Sequence, residues 1–439
     1  MQKNMMDVPL ASWITGEPSA SRPRVIIVGG GFGGLAAARA LKNASAEIVL
    51  IDRRNHYLFQ PLLYQVATAI LSASEIAAPI RQLGGSQKNL RVVLGEVSGV
   101  NVLERQIILD CAGRRGAKIS YDFLVLATGT HPTYFGHDQF AKFAPALKTL
   151  ADAEFIRGKI LSAFERAELE DDPEIRKRLL TFVLVGGGPT GVELAASLAQ
   201  MATVTLRSNF RNIDPQAATI ILLEGGKRLL ASFDEALAEK ASAQLQSLGV
   251  TIRTGVMVEQ IDDDGVVAGG TRIPSATVIW TAGVKPHPLG DWLGAPTDRA
   301  GRVLVGPCLT IPSHSEIFVI GDTAAVLQDG KPLPGVAQVA LQQGKYVGKY
   351  ISAMINKREM SSPFEYIDKG NMAVVGKNFA ILDSNNVHTS GPLTWLIWAF
   401  IHVMSLPHAQ NRVRVYTQWL WSYFTGQRSS RIISEADHP

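Results

Sequence analysis

The sequence contains very little cysteine. Only Cys111 and Cys308 occur among its 439 residues, far apart and without a Cys-x-x-Cys spacing. A disulfide framework, a dithiol relay and a thiolate zinc site all require more cysteine than this. We therefore expect a protein of a reducing compartment that carries no metal site.

The sequence also lacks a strong charge of either sign. The 43 basic and 39 acidic residues give a formal net charge of +4, and no basic run with interleaved aromatics indicates nucleic-acid binding. Residues 1–21 contain no apolar segment for export and carry acids that a mitochondrial presequence avoids, so we interpret them as an untargeted, mobile tail. No apolar run approaches the roughly 20 residues that span a bilayer, so we expect no proton pumping.

Glycine is plentiful, and one glycine-rich turn occurs twice. VGGGFGGLAAARAL occupies residues 28–41, and VGGGPTGVELAASL occupies residues 185–198. Apolar strands flank each copy: RVIIV (24–28) and EIVLID (47–52) for the first, TFVLV (181–185) and ATIILLE (218–224) for the second. Strand, turn, helix and strand form a βαβ unit. The sequence therefore predicts an α/β fold with two Rossmann-like dinucleotide-binding domains.

Each turn carries the G-x-G-x-x-G pattern: Gly29, Gly31 and Gly34 in the first, Gly186, Gly188 and Gly191 in the second. Glycines at these places allow a tight turn, close approach of the backbone to a pyrophosphate and close packing of helix on strand. Asp52 and Glu224 end the second strand of each unit, where a carboxylate accepts hydrogen bonds from the ribose hydroxyls. The alternative is a glycine turn selected for packing alone.

Glu224 also bears on the choice of coenzyme. A carboxylate at the ribose repels a 2′-phosphate, which favours NADH over NADPH. Lys227 and Arg228 follow it and would offset that repulsion, unless they only lead from the strand into a loop. Two dinucleotide sites on one chain fit a tightly bound FAD and a visiting NADH, with a hydride passing from nicotinamide to flavin.

Three further motifs carry a family resemblance: Ala127-Thr128-Gly129, Thr281-Ala282-Gly283 and Gly321-Asp322. They resemble motifs of the two-dinucleotide-binding flavoprotein oxidoreductases related to glutathione reductase. The resemblance implies FAD at the first site, NADH at the second and Asp322 near the ribityl chain of the flavin. A turn acid at a strand end is the alternative for Asp322.

Two segments resemble a narrower family, the type II NADH:quinone oxidoreductases: NHYLFQPLLYQVATAIL (55–71) and GVAQVALQQGKYVGKYI (335–351). The resemblance implies that Gln338 and Gln342 border the quinone head group on the flavin face opposite NADH. It also implies apolar walls for the quinone, from Pro61, Leu62, Leu63 and Tyr64. Without the resemblance, the glutamines would be read as bonding to nearby backbone and the apolar residues as core.

Glu193 follows the second glycine motif, and we place it in the first turn of the helix that points at the dinucleotide. A structural alternative is that an acid there suits the helix dipole. The resemblance implies instead a position between nicotinamide and quinone, where Glu193 helps to deliver protons. Lys377, in the strand-like NMAVVGKNFAIL, is a further candidate whose ammonium would stabilise a reduced quinone or flavin, unless it marks an exposed turn.

The C-terminal region contains no acid from residue 384 to 434. It does contain Arg412, Arg414, Arg428 and Arg431 together with Trp395, Trp398, Trp419 and Trp421. LTWLIWAFIHVMSL (393–406) predicts an apolar helix, and after Pro407 helical spacing places five residues on one stripe: Val413, Tyr416, Leu420, Tyr423 and Phe424. Aromatics beside arginines and without acids indicate membrane-docking helices. A buried homodimer contact is the alternative, and we interpret His402 as a satisfied or snorkelling histidine.

We divide the chain into a tail (1–21), an FAD-binding domain (22–150 and 285–361), an NADH-binding domain (151–284) and a membrane-docking region (362–439). The predicted enzyme moves a hydride from NADH to FAD and two electrons to a membrane quinone, menaquinone or ubiquinone. We expect a peripheral homodimer on the cytoplasmic face of the inner membrane. The alternatives are a sulfide:quinone oxidoreductase, an NADH-sensing membrane scaffold and a soluble reductase for ferredoxin-like partners.

Overall fold

The computed structural model describes Ile14 and residues 22–358, 362–384 and 387–433. The described residues fall into two compact units. Unit 1 lies within Met1–Tyr57, Ala78–His131 and Lys285–Asp368, and unit 2 within Leu58–Ala77, Pro132–Val284 and Lys369–Pro439. The predicted N-terminal tail lies outside the described residues except for Ile14, which is 3% exposed and packs in the core of unit 1.

Unit 1 is built on a six-stranded sheet. Its strands lie in the order Thr310–Ile311, His314–Val319, Phe123–Leu126, Arg24–Val28, Glu47–Asp52 and Leu90–Leu94. All neighbours are parallel except the first pair. Every residue of Arg24–Val28 is buried, as expected for a central strand of a parallel sheet covered on both faces. The first predicted βαβ unit is confirmed.

The helices of unit 1 are Phe32–Ala40, Ile80–Gly84, Leu289–Leu293 and Ala337–Ile355, with a 3₁₀ turn at Gly321–Thr323. The first and the longest of them pack closely because glycines of the long helix face the backbone of the first. A Cβ added to Gly344 would lie 2.1 Å from the carbonyl oxygen of Gly33, and one added to Gly348 would lie 2.7 Å from that of Ala37. This contact fixes the glycine-turn helix against the long helix.

An antiparallel meander completes unit 1, formed by Glu96–Asn101, Gln106–Cys111 and Arg114–Ser120. The alternating pattern of residues 91–110 is typical of antiparallel strands throughout, but Leu90–Leu94 instead joins the main sheet in parallel beside Glu47–Asp52. It lies at the sheet edge and is only partly buried, so its residues alternate as those of a meander do. Short strand pairs are Val303–Leu304 with Ala324–Ala325 and Leu327–Gln328 with Lys331–Pro332.

Unit 2 contains a four-stranded parallel sheet in the order Val250–Thr254, Thr219–Glu224, Thr181–Val185 and Thr277–Trp280. An antiparallel sheet of Val258–Asp262, Gly265–Ala268 and Thr271–Pro274 is also present. Its helices before residue 369 are Leu63–Ala67, Ala73–Ile76, Leu150–Leu169, Pro173–Leu179, Pro189–Gln200 and Glu235–Ser247. The second predicted βαβ unit is confirmed. The chain passes between the units at five points. Four lie in short strands, His56–Leu58, Ala77–Pro79, Thr130–Pro132 and Val284–Pro286, and the fifth lies between Asp368 and Lys369.

The charged segment 165–178 is not one helix. Helix Leu150–Leu169 ends within this segment, and after a short break a second helix, Pro173–Leu179, begins. Asp172 causes the break, because its carboxylate accepts the N–H groups of Glu174 and Ile175 as an N-cap, with proline in the first turn.

The C-terminal part of unit 2 begins with a three-stranded antiparallel sheet, Asn371–Val374, Ala380–Ser384 and Val387–Gly391. Helices Pro392–Ser405 and Ala409–Thr425 follow, as predicted; we call them the C-terminal helix pair. Among the described residues, no helix has both the length and the apolar character needed to cross a membrane.

Candidate active site

The first glycine turn is tightly packed at two of its glycines and open at the third. Gly29 has φ +104°, and a Cβ there would lie 2.2 Å from the carbonyl oxygen of Ala127. A Cβ on Gly34 would lie 1.8 Å from that of Gly29. A Cβ on Gly31, which precedes the helix, would meet nothing within 4 Å. Two glycines thus shape the turn, and the third leaves its backbone open to a phosphate.

Asp52 holds this turn from the next strand. Its Oδ2 accepts the N–H of Gly30 at 2.6 Å, and its Oδ1 accepts that of Arg54 at 2.8 Å. Thr128 adds a buried hydroxyl that has no hydrogen-bond partner within the described ranges. A hydroxyl-rich or phosphate-bearing ligand would satisfy that atom, so these residues fit a dinucleotide.

The glycine-acid motif of unit 1 depends on a residue that sequence reasoning missed. Gly321 has φ +73°, and its N–H is accepted by Gln343 Oε1 at 2.6 Å. Asp322 accepts the hydroxyl of Thr130 at 3.3 Å. Helical spacing predicts this position of Gln343, because four residues at intervals of four are all buried: Val339, Gln343, Val347 and Ile351.

The two predicted quinone glutamines differ in their contacts. Gln342 binds backbone through both ends of its amide: Nε2 donates to the Ile367 carbonyl at 2.9 Å, and Oε1 accepts the Ile367 N–H at 3.0 Å. Gln338 is half-buried and forms no hydrogen bond with the rest of the described chain. Of the two, only Gln338 keeps its amide available for a ligand.

The second glycine turn repeats the geometry of the first. Gly186 has φ +114°, and a Cβ on it would lie 2.6 Å from the Cα of Ala282. A Cβ on Gly191 would lie 1.9 Å from the Gly186 carbonyl oxygen, and one on Gly188 would meet nothing within 4 Å. Gly283 belongs to the Thr281-Ala282-Gly283 motif and packs against the ring of Phe135. A Cβ added to Gly283 would lie 2.6 Å from the Cζ atom of that ring.

Glu224 occupies the place that Asp52 has in unit 1. Its Oε2 accepts the N–H of Gly187 and its Oε1 that of Gly226, both at 2.6 Å. Arg228, which would have offset its charge, is engaged elsewhere, because its guanidinium donates to three carbonyls: those of Leu230, Ala231 and Phe233. Lys227 is exposed. Arg228 keeps its charge, but its terminal nitrogens are engaged by the protein's own carbonyls.

Glu193 is a buried acid. Its helix begins at Pro189, so Glu193 lies in the second turn and not in the first, where we had placed it. Since the dipole effect fades beyond the first turn, it does not explain the acid. Glu193 is 9% exposed, and burial raises its pKa to about 8, while the N–H of Val374, 3.4 Å from Oε1, lowers the pKa in part. Glu193 therefore holds a proton at neutral pH.

A cavity of about 40 Å³ lies beside Glu193, which is room for one or two water molecules. Its lining residues are Gln60, Pro61, Leu63, Tyr64, Leu147, Thr190 and Glu193. Two of the predicted quinone contacts, Pro61 and Tyr64, thus share this lining with Glu193. Leu62 is fully buried and is not in the lining, whereas Leu63 is.

Lys377 and His402 have local partners. Lys377 lies in an exposed turn, donates to the carbonyl of Tyr423 at 2.6 Å and sits 3.9 Å above its ring. His402 contacts the Trp398 carbonyl through Nδ1 at 2.8 Å and stacks on its ring. Burial lowers the pKa of His402 to about 4. Of the two alternatives for His402, the structure therefore shows the satisfied histidine.

Two protein-family models match the chain. The pyridine nucleotide-disulphide oxidoreductase model matches residues 23–344, and the NDH2 C-terminal domain model matches residues 369–428. The type II NADH:quinone oxidoreductase Ndh of Mycobacterium tuberculosis is 43% identical, covering 95% of this chain and 92% of the relative. NdhA of the same organism, a second type II NADH:quinone oxidoreductase, is 40% identical, covering 96% of this chain and 92% of the relative.

A solved structure has the same fold. NDH2 from Plasmodium falciparum, in complex with NADH, matches with a TM-score of 0.85 at 20% identity, over 94% of this chain and 100% of that chain. The family models, the two relatives and the repeated glycine turns agree. The chain belongs to the type II NADH:quinone oxidoreductases.

Proposed function

We propose that the protein oxidises NADH and reduces a membrane quinone by two electrons, with FAD bound at the turn of unit 1 and NADH at the turn of unit 2, and without proton pumping. Bound FAD supplies the chemistry that accepts a hydride and releases two electrons. The observation that carries the proposal is the duplicated arrangement of open glycine and strand-end acid, Gly31 with Asp52 and Gly188 with Glu224.

In unit 1, this chain's residues would hold FAD. The helix that begins after Gly31 offers free N–H groups to the pyrophosphate, and Asp52 accepts from the ribose. Thr128, Gly129 and Asp322 are the remaining binding candidates. The unpartnered hydroxyl of Thr128 and the open space above Gly129 support them.

In unit 2, Glu224 selects NADH. We expect its carboxylate to repel the negative charges of a 2′-phosphate, and the terminal nitrogens of Arg228 donate to the protein's own carbonyls rather than to a phosphate. Gly188 and Gly283 complete the proposed site.

Glu193 is the proposed proton donor on the quinone side. A carboxylic acid with a pKa of about 8 is protonated at neutral pH and gives up its proton near the working pH. Pro61 and Tyr64, which share its cavity, are the proposed quinone contacts, and Gln338 is a further one. We assign Lys377 to holding Tyr423, and Gln342 to holding Ile367.

We also propose that the C-terminal helix pair lies on a lipid surface. Its exposed apolar side chains are Leu393, Leu396, Ile397, Phe400, Ile401, Met404, Val413, Tyr416, Leu420, Trp421 and Phe424. Apolar groups in this number rarely face water, and the absence of acids from 384 to 434 favours an anionic membrane over an aqueous surface. The enzyme would then be peripheral, on the cytoplasmic face of the membrane. The alternative is that a second copy of the chain covers this apolar face in a homodimer.

Not all the predicted interfacial residues share this face. Trp398 is 2% exposed and stacks on Trp419 at 5.3 Å, and Arg428 is 5% exposed. These three residues face the rest of unit 2. Arg431 donates to Asn209 and Gln427, and Trp395 packs on Tyr423. Trp421, Arg412 and Arg414 are left as the proposed lipid contacts.

Anaerobic stopped-flow spectroscopy tests the reaction. NADH should bleach the flavin absorbance of the holoenzyme, and a short-chain quinone should restore it. A flavin that NADH cannot bleach, or that quinone never reoxidises, would overturn the proposal in favour of an NADH-sensing scaffold.

A further inference from the structure

Gln65 is a buried amide bound at both ends. Its Oε1 accepts the indole N–H of Trp419 at 2.7 Å, and its Nε2 donates to the hydroxyl oxygen of Tyr64 at 2.9 Å. Gln65 and Tyr64 are 4% and 5% exposed. A chain of hydrogen bonds therefore runs from the C-terminal helix pair to a residue that lines the Glu193 cavity.

The direction of this chain is fixed by chemistry. An indole N–H can only donate, so the carbonyl end of the Gln65 amide must face Trp419 and the NH₂ end must face Tyr64. The Tyr64 oxygen consequently accepts, and its own hydrogen is left over. That hydrogen finds no acceptor elsewhere in the described structure. Trp419 thus makes Tyr64 a hydrogen-bond donor toward its surroundings.

The helix that carries Trp419 is fixed to the rest of unit 2 by buried hydrogen bonds. Arg428, beyond the end of the same helix, donates to the carbonyls of Thr68 at 2.7 Å and Ser197 at 2.8 Å. The hydroxyls of Thr68 and Ser197 bind each other at 2.7 Å. Thr68 directly follows the short helix that carries Tyr64 and Gln65, and Ser197 lies one turn after Glu193 on its helix. Both walls of the cavity are therefore tied to the C-terminal helix.

We propose that Trp419 and Gln65 are positioning residues that orient the Tyr64 hydroxyl as a hydrogen-bond donor to a carbonyl oxygen of the quinone, with that oxygen, and not the whole head group, entering the water-sized Glu193 cavity. The inference rests on the proposed quinone reduction. It assigns to Tyr64 a polar role in place of the apolar wall implied by the family resemblance.

The test is Trp419→Phe, which removes the indole N–H and keeps an aromatic ring against Trp398. Gln65 is then free to turn its amide and take the hydrogen of Tyr64. Without that donor, we expect kcat/KM for a short-chain quinone to fall about tenfold, the effect of one ordinary hydrogen bond. Calorimetry should show a similar loss in the affinity of the oxidised enzyme for the quinone. Flavin bleaching by NADH should not change.

Trp398→Phe is the matched control. It makes the same change in the ring stacked on Trp419, but the indole N–H of Trp398 has no partner anywhere in the described chain. It should therefore leave quinone affinity and kcat/KM near their wild-type values. Melting temperature and flavin content show whether both variants fold.

A double-mutant cycle separates positioning from a general structural effect. In a Tyr64→Phe background, Trp419→Phe should cause little further loss, because the hydroxyl that it acts through is absent. Full additivity, or equal effects of Trp419→Phe and Trp398→Phe, would overturn the inference while wild-type quinone reduction stands. A wild-type enzyme that reduces no quinone would instead refute the proposed function.

Discussion

The carboxylate of Glu224 accepts the backbone N–H of Gly187 at 2.6 Å. Asp52 and Gly30 have the same relationship at the same distance in unit 1. In both turns, the acid proposed to bind the ribose also holds the middle glycine. Because each carboxylate oxygen accepts more than one hydrogen bond, the same side chain can serve the turn and the coenzyme together.

Glu224→Gln should weaken the preference for NADH. The amide keeps the size of the side chain and one acceptor oxygen but removes the charge that repels a 2′-phosphate. We expect the ratio of kcat/KM for NADH to that for NADPH to fall about tenfold, equivalent to about 1.4 kcal/mol. Steady-state rates with both coenzymes measure it. Lys227→Gln should leave the ratio unchanged or raise it; an unchanged ratio in Glu224→Gln would contradict the assignment.

Gly31→Ala and Gly34→Ala should impair different properties, flavin binding in the first and stability in the second. A methyl group on Gly31 meets nothing, so the protein should fold normally and lose flavin, since the methyl group blocks approach of the pyrophosphate. On Gly34 the methyl group would lie 1.8 Å from the Gly29 carbonyl oxygen, so we expect loss of stability itself. Bound flavin per chain and the melting temperature distinguish the two. A Gly31→Ala protein that retains full flavin would place the cofactor elsewhere.

The fold could be predicted wherever local pattern and tertiary position agree. The buried strands Arg24–Val28 and Thr181–Val185, with glycine turns after them, have few other ways to fold. Leu90–Leu94 could not be placed, because an edge strand in a parallel sheet alternates like a strand of a meander. Its partner is decided by residues far away in the sequence.

The site was predictable in its coenzyme motifs and less so in its polar contacts. Glycine spacing located both turns, whereas the roles of Gln343, Gln65 and Arg428 depend on contacts with residues distant in the sequence. Arg428 illustrates the limit. Its composition-based placement at a lipid interface was reasonable, yet its guanidinium is buried against two carbonyls.

Cys111→Ser with Cys308→Ser should preserve quinone reduction. Both thiols are free, and the proposed electron path uses neither. We expect kcat with NADH and quinone to stay within about twofold of the wild type, since surface or half-buried substitutions of this size have small effects. Loss of activity with intact flavin content would revive the sulfide:quinone alternative, which needs reactive cysteines.

Phe400→Glu with Phe424→Glu should release the protein from membranes. These side chains are 67% and 79% exposed, and burial of each in lipid contributes about 2 kcal/mol. We therefore expect affinity for anionic phospholipid vesicles to fall at least about a hundredfold in co-sedimentation. Leu103→Glu is the control, because Leu103 is 94% exposed in the meander of unit 1. Unchanged vesicle binding with a loss of dimers in ultracentrifugation would assign the face to a second copy.

Glu193→Gln should remove a proton donor and leave hydride transfer intact. With the pKa of Glu193 at about 8, quinone reduction by the wild type should decline as the pH rises through 8, because the acid is then ionised. The variant should be slower, by roughly 10²-fold for a lost general acid, and should lack this inflection. Flavin bleaching by NADH, measured across the same pH range, should be similar in both proteins.

The stability of the two proteins provides an independent check of that pKa. Between pH 4.5, the ordinary value, and about 8, the folded protein binds a proton on Glu193 that the unfolded chain has released. The free energy of unfolding of the wild type, relative to Glu193→Gln, should therefore decrease with rising pH in this window, by at most about 1.4 kcal/mol per unit. Below pH 4.5 the free energy of unfolding of the wild type, relative to the variant, is at its maximum. Above about pH 8 it no longer changes with pH. Denaturant titrations that show a flat difference from pH 5 to 8 would mean that Glu193 is already ionised, and so cannot be the proton donor.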